Sequence, residues 1–269
     1  MATFSFASIA VADAPLRVLT SIRPLQLLAV AVGGDAITAS SLLDPQFSPH
    51  DYQLRPSDRA KLDNADVIFW IGPHLELFLQ PVISALPAHA AIVGLQDAEQ
   101  DGHMWLDPIA AIQIARRMAD IFSELRPAQK ALFRANAEQL TAALTRQDEN
   151  HRAELKRLTA VHGYMVEHDA YSRFEARYGL THHAALTNVA DLPPSATVML
   201  SIKRQLHDGS VTCVWREPQE SKLLKSVIAD SNPKIVTIDA MAARIPVNKD
   251  GALQFYQGLW EAVISCVAM

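Results

Sequence analysis

The sequence predicts an α/β fold with two lobes, each a parallel sheet of about four strands flanked by helices, joined by one long helix. Three observations lead there. Short β-branched runs alternate with longer helical patterns, the gaps between runs are long enough for crossover helices, and 128–158 holds no glycine, no proline and no strand signal. The boundaries expected are 16–125 for the first lobe, 126–159 for the linking helix and 160–269 for the second lobe.

In the first lobe, Arg17 to Ile22 reads as a strand, and Pro24 opens an apolar helix after it. Ile37 to Leu43 is the next strand, and Pro56-Ser57-Asp58 starts the next helix, where Ser57 and Asp58 suit an N-terminus with orphan N–H groups. Val67 to Ile71 is a strand of buried type, followed by a helical LELFLQPVISAL, and Ala91 to Leu95 is the fourth strand. Asp107-Pro108 opens a helix to Leu125. Within the long stretch, Leu132, Asn136, Leu140, Leu144, His151, Leu155 and Leu158 recur at helical spacing. The second lobe resumes the alternation: strand Tyr164 to Glu167, a helix ending at Gly179, a helix from Pro194 to His207, strand Val211 to Trp215, a helix to Asp230, strand Lys234 to Ile238 and a final helix.

With 269 residues, 49% hydrophobic, the chain can bury one large core or two moderate ones. Its net charge of −5, with both signs mixed, leaves no basic stripe for a phosphate backbone, so no nucleic-acid partner is expected. Residues 1–15 read as the remnant of an export signal or as a disordered tail. Ala12 and Ala14 resemble a signal-peptidase site, and the apolar run is too short to span a bilayer. No cysteine stands near the start, so no lipid anchor is expected. Cys213 and Cys266 have no CxxC spacing; they can pair in an oxidising compartment or remain buried thiols.

Four metal-capable side chains follow strand-like runs. His50 comes after ITASSLL, His103 after AIVGL, His168 after Tyr164-Met165-Val166 and Asp239 after KIVTI. In open α/β sheets ligands gather at the carboxyl ends of strands, so three imidazoles and a carboxylate placed this way can share one cleft. Zinc favours four such ligands in a tetrahedron, at about 2.0–2.2 Å for nitrogen and oxygen. Two from each lobe would staple the lobes together. A filled shell leaves no open position for a catalytic water, and HExxH is absent, so no enzyme is expected.

SPHDYQLRPSDRAKLDNADVIFWIGPHLE, DGHMWLDP, VEHDAYSRFEARYGL and REPQ at 216–219 resemble the signature segments of the metal-binding solute receptors of bacterial ABC importers, in particular the zinc-binding members. The match runs from about Leu16 to the end of the chain. The resemblance implies a rigid backbone helix, a periplasmic monomer, a metal ion held between lobes, and its delivery to a membrane permease. It carries the ligand roles onto His50, His103 and His168, with Asp239 where relatives supply a carboxylate, and it implies a Cys213–Cys266 disulfide. Zinc members have His at the third position, where manganese members tend to have Glu; imidazole nitrogen is the softer donor.

The chain departs from the family in three places. The His- and Asp-rich loop of many zinc receptors is replaced by Gln96-Asp97-Ala98-Glu99-Gln100-Asp101, the usual DPLG is Asp239-Ala240-Met241-Ala242, and EPQF ends in Glu220. The remaining seven histidines are expected to be mostly solvated non-ligands, with the His182-His183 pair the one able to bind a further ion weakly. Asp51, Glu167, Asp169 and Glu217 are candidates to orient the ligand imidazoles. Capture by neutral imidazoles should weaken as pH falls through about 6.5. The long helix limits closure, so the signal to the permease is expected from loops near His50, His103 and the mobile segment 181–194. A manganese or iron receptor, a zinc hydrolase and a surface adhesin are the competing functions.

Overall fold

The computed structural model describes residues 14–86, 90–96, 102–188 and 192–268. Residues 1–13 of the expected export remnant, 97–101 before His103, and 189–191 of the segment expected to be mobile lie outside the described residues.

Strands β1 (Leu16–Thr20), β2 (Ile37–Ser41), β3 (Val67–Trp70) and β4 (Ala91–Gly94) form one parallel sheet in the order β2-β1-β3-β4. Strands β5 (Tyr164–His168), β6 (Ala184–Thr187), β7 (Cys213–Arg216) and β8 (Lys234–Thr237) form a second in the matching order β6-β5-β7-β8. The inner strands β3 and β5 are buried along their whole length, as expected of a parallel sheet covered on both faces. The outer strands β2, β4 and β8 are half-exposed.

The helices are α1 (Arg23–Gly33), α2 (Pro56–Asp63), α3 (Gln80–Ile83), α4 (Pro108–Leu125), α5 (Lys130–Leu155), α6 (Ser172–Tyr178), α7 (Ala196–His207), α8 (Lys222–Ile228) and α9 (Gly251–Val267). Asp107 caps α4 by accepting from the Ile109 N–H at 2.9 Å, and Gly179 ends α6 in the left-handed region at φ 66°. Among the described residues no helix is long and apolar enough to cross a membrane.

Four expectations are corrected. The helix expected over 128–158 begins with a 3-10 turn at Pro127–Gln129 and is α-helical only over Lys130–Leu155. Its buried stripe is Phe133, Ala137, Leu140, Leu144, Asp148 and His151, so Leu132 faces solvent and Phe133 takes the position assigned to it. LELFLQPVISAL yields a 3-10 turn at Leu77–Leu79 and the four-residue α3, with Pro81 confined to its first turn. Strand β6 falls inside the segment expected to be mobile; its Ala-Ala-Leu-Thr run has weak intrinsic strand preference and is fixed by parallel pairing with β5.

One contiguous hydrophobic core draws on both sheets, from Leu16 to Val267, and a smaller one lies under α7 and α8. Helix α9 spans the division, packing against α1 and α5 on one side and β7 and β8 on the other. The cysteines are joined in a disulfide, Cα–Cα 5.8 Å, that ties β7 to the last turn of α9.

Glu76 is fully buried after β3, where its Oε2 accepts from the Ile71 N–H at 2.7 Å and the Gly72 N–H at 3.3 Å. Burial pushes its carboxyl up to about 7 against those donors. A carboxyl raised on folding contributes most below its unfolded value, and that contribution is lost as pH climbs through about 7. Glu76→Gln keeps the acceptor and cannot ionise. Thermal unfolding of the metal-free protein should therefore show the variant gaining about 2–3 kcal/mol on the wild type between about pH 5 and pH 8. A gap that does not change with pH would contradict this.

Candidate metal centre

Three strand ends deliver three imidazoles to one point. His50 rides the irregular loop after β2, His103 sits just before the 3-10 turn Met104–Leu106 that follows β4, and His168 is the last residue of β5. The ring centroids lie 5.2 Å (His50–His103), 5.2 Å (His50–His168) and 5.0 Å (His103–His168) apart. One ring nitrogen from each falls within 4.8 Å of the others, and among the described residues no other group of three or more His, Cys, Asp or Glu meets that condition. His50 Nε2 and His103 Nε2 are 3.2 Å apart. Two donors at about 2.0 Å on a tetrahedral ion are separated by about 3.3 Å, so this pair already spans one edge of a zinc-sized tetrahedron.

Burial is uneven. His103 is 2% and His168 7% exposed, whereas His50 is half-buried. A cleft of about 150 Å³ leads to the site between the proline-rich 45–49 segment of the first sheet's side and Glu217, Pro218 and Met241 on the second.

Each ligand segment is held by named contacts. A Cβ on Gly102 would meet Leu75 Cβ at 2.7 Å, so only glycine lets the chain before His103 lie this close to the turn under it. Trp105, 1% exposed, donates from Nε1 to the Ala240 carbonyl at 2.9 Å, and its own carbonyl accepts from the Tyr256 hydroxyl at 2.6 Å. Trp105 thus joins the His103 segment to the residue after Asp239 through its indole and to α9 through its backbone carbonyl. Trp105 lies within the DGHMWLDP motif but carried no sequence signal for this role, and Tyr256 carried none at all.

Among the four carboxylates considered for orienting the imidazoles, Glu217 faces His168, with Oε1 3.3 Å from Nδ1. An Nδ1–H donated to that carboxylate leaves Nε2 as the metal-binding lone pair. Glu167 supports the arrangement from beneath: its Oε2 accepts the Glu217 backbone N–H at 2.9 Å, and burial raises its pKa. Asp169 points elsewhere, 3.9 Å from His182 Nε2, and Asp51 is exposed.

Asp239 stands outside the three-histidine group. Its Oδ1 accepts from Ala243 N–H and its Oδ2 from Arg244 N–H, both at 2.8 Å, so the carboxylate caps the turn after β8. His182 is engaged by Glu175, whose Oε2 lies 2.9 Å from Nδ1 and whose hydrogen bond raises the imidazole pKa against the effect of burial. His183 is exposed. His151, read both as part of the long helix's repeating stripe and as one of the mostly solvated non-ligands, is 5% exposed and stacked on Trp260 at 4.6 Å, where burial lowers its pKa.

Residues 18–265 match the family described as ZnuA, zinc-uptake complex component A, periplasmic. The high-affinity zinc uptake system protein ZnuA of Yersinia pestis is 30% identical to the chain, over 94% of this chain and 92% of that protein. Its counterpart in Haemophilus ducreyi is 27% identical over 93% of each. Among solved structures, a zinc-bound ZnuA deletion mutant matches with a TM-score of 0.82 at 22% identity, over 95% of this chain and 100% of its own. The laminin-binding protein of Streptococcus agalactiae matches with a TM-score of 0.82 at 18% identity, over 93% and 99%. At such identities these structures establish the common fold.

The Glu217 contact yields a direct expectation. Glu217→Ala should weaken Zn²⁺ binding about 10-fold or more, the usual effect of losing the partner of a ligating imidazole. Glu217→Gln, which keeps an acceptor without the charge, should lose less. Competition against a chelator of known affinity measures both, and unchanged affinity in Glu217→Ala would contradict the role.

Proposed function

The chain belongs to the ZnuA family of periplasmic zinc-uptake components, which are substrate-binding transport proteins and not enzymes, and on that premise we propose that it captures Zn²⁺ at His50, His103 and His168 and delivers it to the permease of an ABC importer. The observation that carries this reading is the convergence of three imidazoles from the carboxyl ends of two different sheets. Neutral imidazoles are borderline-soft donors suited to zinc, and a site assembled between two sheets can release its cargo by a small relative shift.

Asp239 is the fourth ligand in this proposal. Each of its oxygens holds one backbone N–H, and a carboxylate oxygen has a further lone pair to offer. The cap already made means the side chain would contribute to the shell without being free to follow the ion. In this proposal the working protein is a periplasmic monomer, its two lobes at 16–125 and 160–269 braced by the helix between them.

Metal analysis of the purified protein, followed by competition titrations of Zn²⁺ against Mn²⁺, tests the proposal. One Zn²⁺ per chain is expected, bound in preference to Mn²⁺. His50→Ala, His103→Ala and His168→Ala should each lose more affinity than the roughly 10–100-fold typical of outer-shell changes, and Asp239→Ala less than any of them. Stronger binding of Mn²⁺, or zinc binding that survives His168→Ala unchanged, would overturn the assignment. An Asp239→Ala variant with wild-type affinity would give the fourth position to water.

A further inference from the structure

The three imidazoles do not stand on equal supports. His168 ends a buried strand and His103 lies in a buried, glycine-packed segment, but His50 sits half-buried in the irregular loop between β2 and α2. Within the loop, the His50 backbone N–H donates to Ser48 Oγ at 3.2 Å. What holds the loop as a whole therefore decides how well His50 stays in place.

Tyr52, two residues on, supplies that hold. It is 8% exposed, and its hydroxyl donates to Asp58 Oδ2 at 2.8 Å. Asp58 is itself 2% exposed in the first turn of α2, where the same oxygen accepts the Arg55 N–H at 2.9 Å. The Tyr52 ring packs between Phe47, at the start of the loop (5.6 Å), and Phe78, in the turn after β3 (5.5 Å). The Arg55 guanidinium covers the outer side of Phe47 at 5.0 Å. Residues before and after His50 are thus drawn together onto the frame of α2 and β3.

We infer that Tyr52 is a positioning residue for metal capture: its bond to Asp58 fastens the His50 loop to α2 and thereby sets how long a bound ion is retained. The inference rests on the reading of His50, His103 and His168 as the ion site. Its physical basis is preorganisation. A ligand on a loose loop must be ordered each time it closes on the ion, and a tether made beforehand removes that cost and slows departure. Tyr52→Phe isolates the tether, since the ring packing remains and Asp58 still holds Arg55.

The test measures Zn²⁺ dissociation into excess chelator and Zn²⁺ affinity by competition, for wild type, Tyr52→Phe, His50→Ala and the double variant. Tyr52→Phe should release zinc about five- to ten-fold faster, the scale of one net hydrogen bond. Added to His50→Ala, it should change affinity no further, because the loop then carries no ligand. An unchanged release rate in Tyr52→Phe would overturn the inference. So would an equal affinity loss with and without His50, which would mark a general effect on packing. Failure of the wild type to bind zinc, or binding indifferent to His103→Ala and His168→Ala, would remove the proposed function itself, and the inference with it. That result is distinct from a wild type that binds tightly beside a silent Tyr52→Phe.

Discussion

A single buried residue, Trp105, sets the spacing on which the three-histidine centre depends. Trp105 follows His103 by two residues, donates from its indole to the carbonyl next to Asp239, and accepts the hydroxyl of Tyr256 from α9 at its backbone carbonyl. Both partners are buried, so an unmade bond would leave polar groups without water, and the join is costly to break. Half-sites built on separate sheets have no intrinsic reason to meet at ligand distance. Here a polar contact at the junction, backed by a continuous apolar core, supplies that reason.

The resulting centre is graded from rigid to yielding. His168 is fixed by its strand and by the Glu217–Glu167 pair, and His103 by close packing through Gly102. His50 depends on an aromatic and hydrogen-bonded knot in its own loop. A carrier must hold its cargo firmly and also surrender it, and unequal support within one shell meets both demands. His182 is held by Glu175 through its Nδ1 and stands outside the three-histidine group.

Much of this could be read from the residues in order. β-Branched runs located seven of the eight strands, and the rule that ligands collect at strand carboxyl ends picked out three histidines that do converge. The missing strand, β6, is made of residues with little preference of their own, and only its partner β5 determines it. Leu132 and Phe133 were interchanged because either fits a helical period, and the choice between them is made by what packs against α5. Which carboxylate meets His168, and whether Asp239 serves the ion or a turn, depend on loop paths that no spacing encodes. The burial of His151 against Trp260 is likewise a contact between residues 109 positions apart, whose rings stack at 4.6 Å.

The disulfide bears on where the molecule can flex. Cys266 rivets the far end of α9 to β7, whereas the near end is held without a covalent bond: Gly251 lies close against Leu27 of α1, and the Leu253 carbonyl accepts from Gln147 Nε2 of α5 at 3.1 Å. Helix α9 is then a lever about 25 Å long with one end welded to the second sheet. The end at Gly251, beside the Pro246 carbonyl, has no such covalent attachment. Reduction of the disulfide would remove the one covalent attachment of α9 and leave the helix held by packing and hydrogen bonds alone.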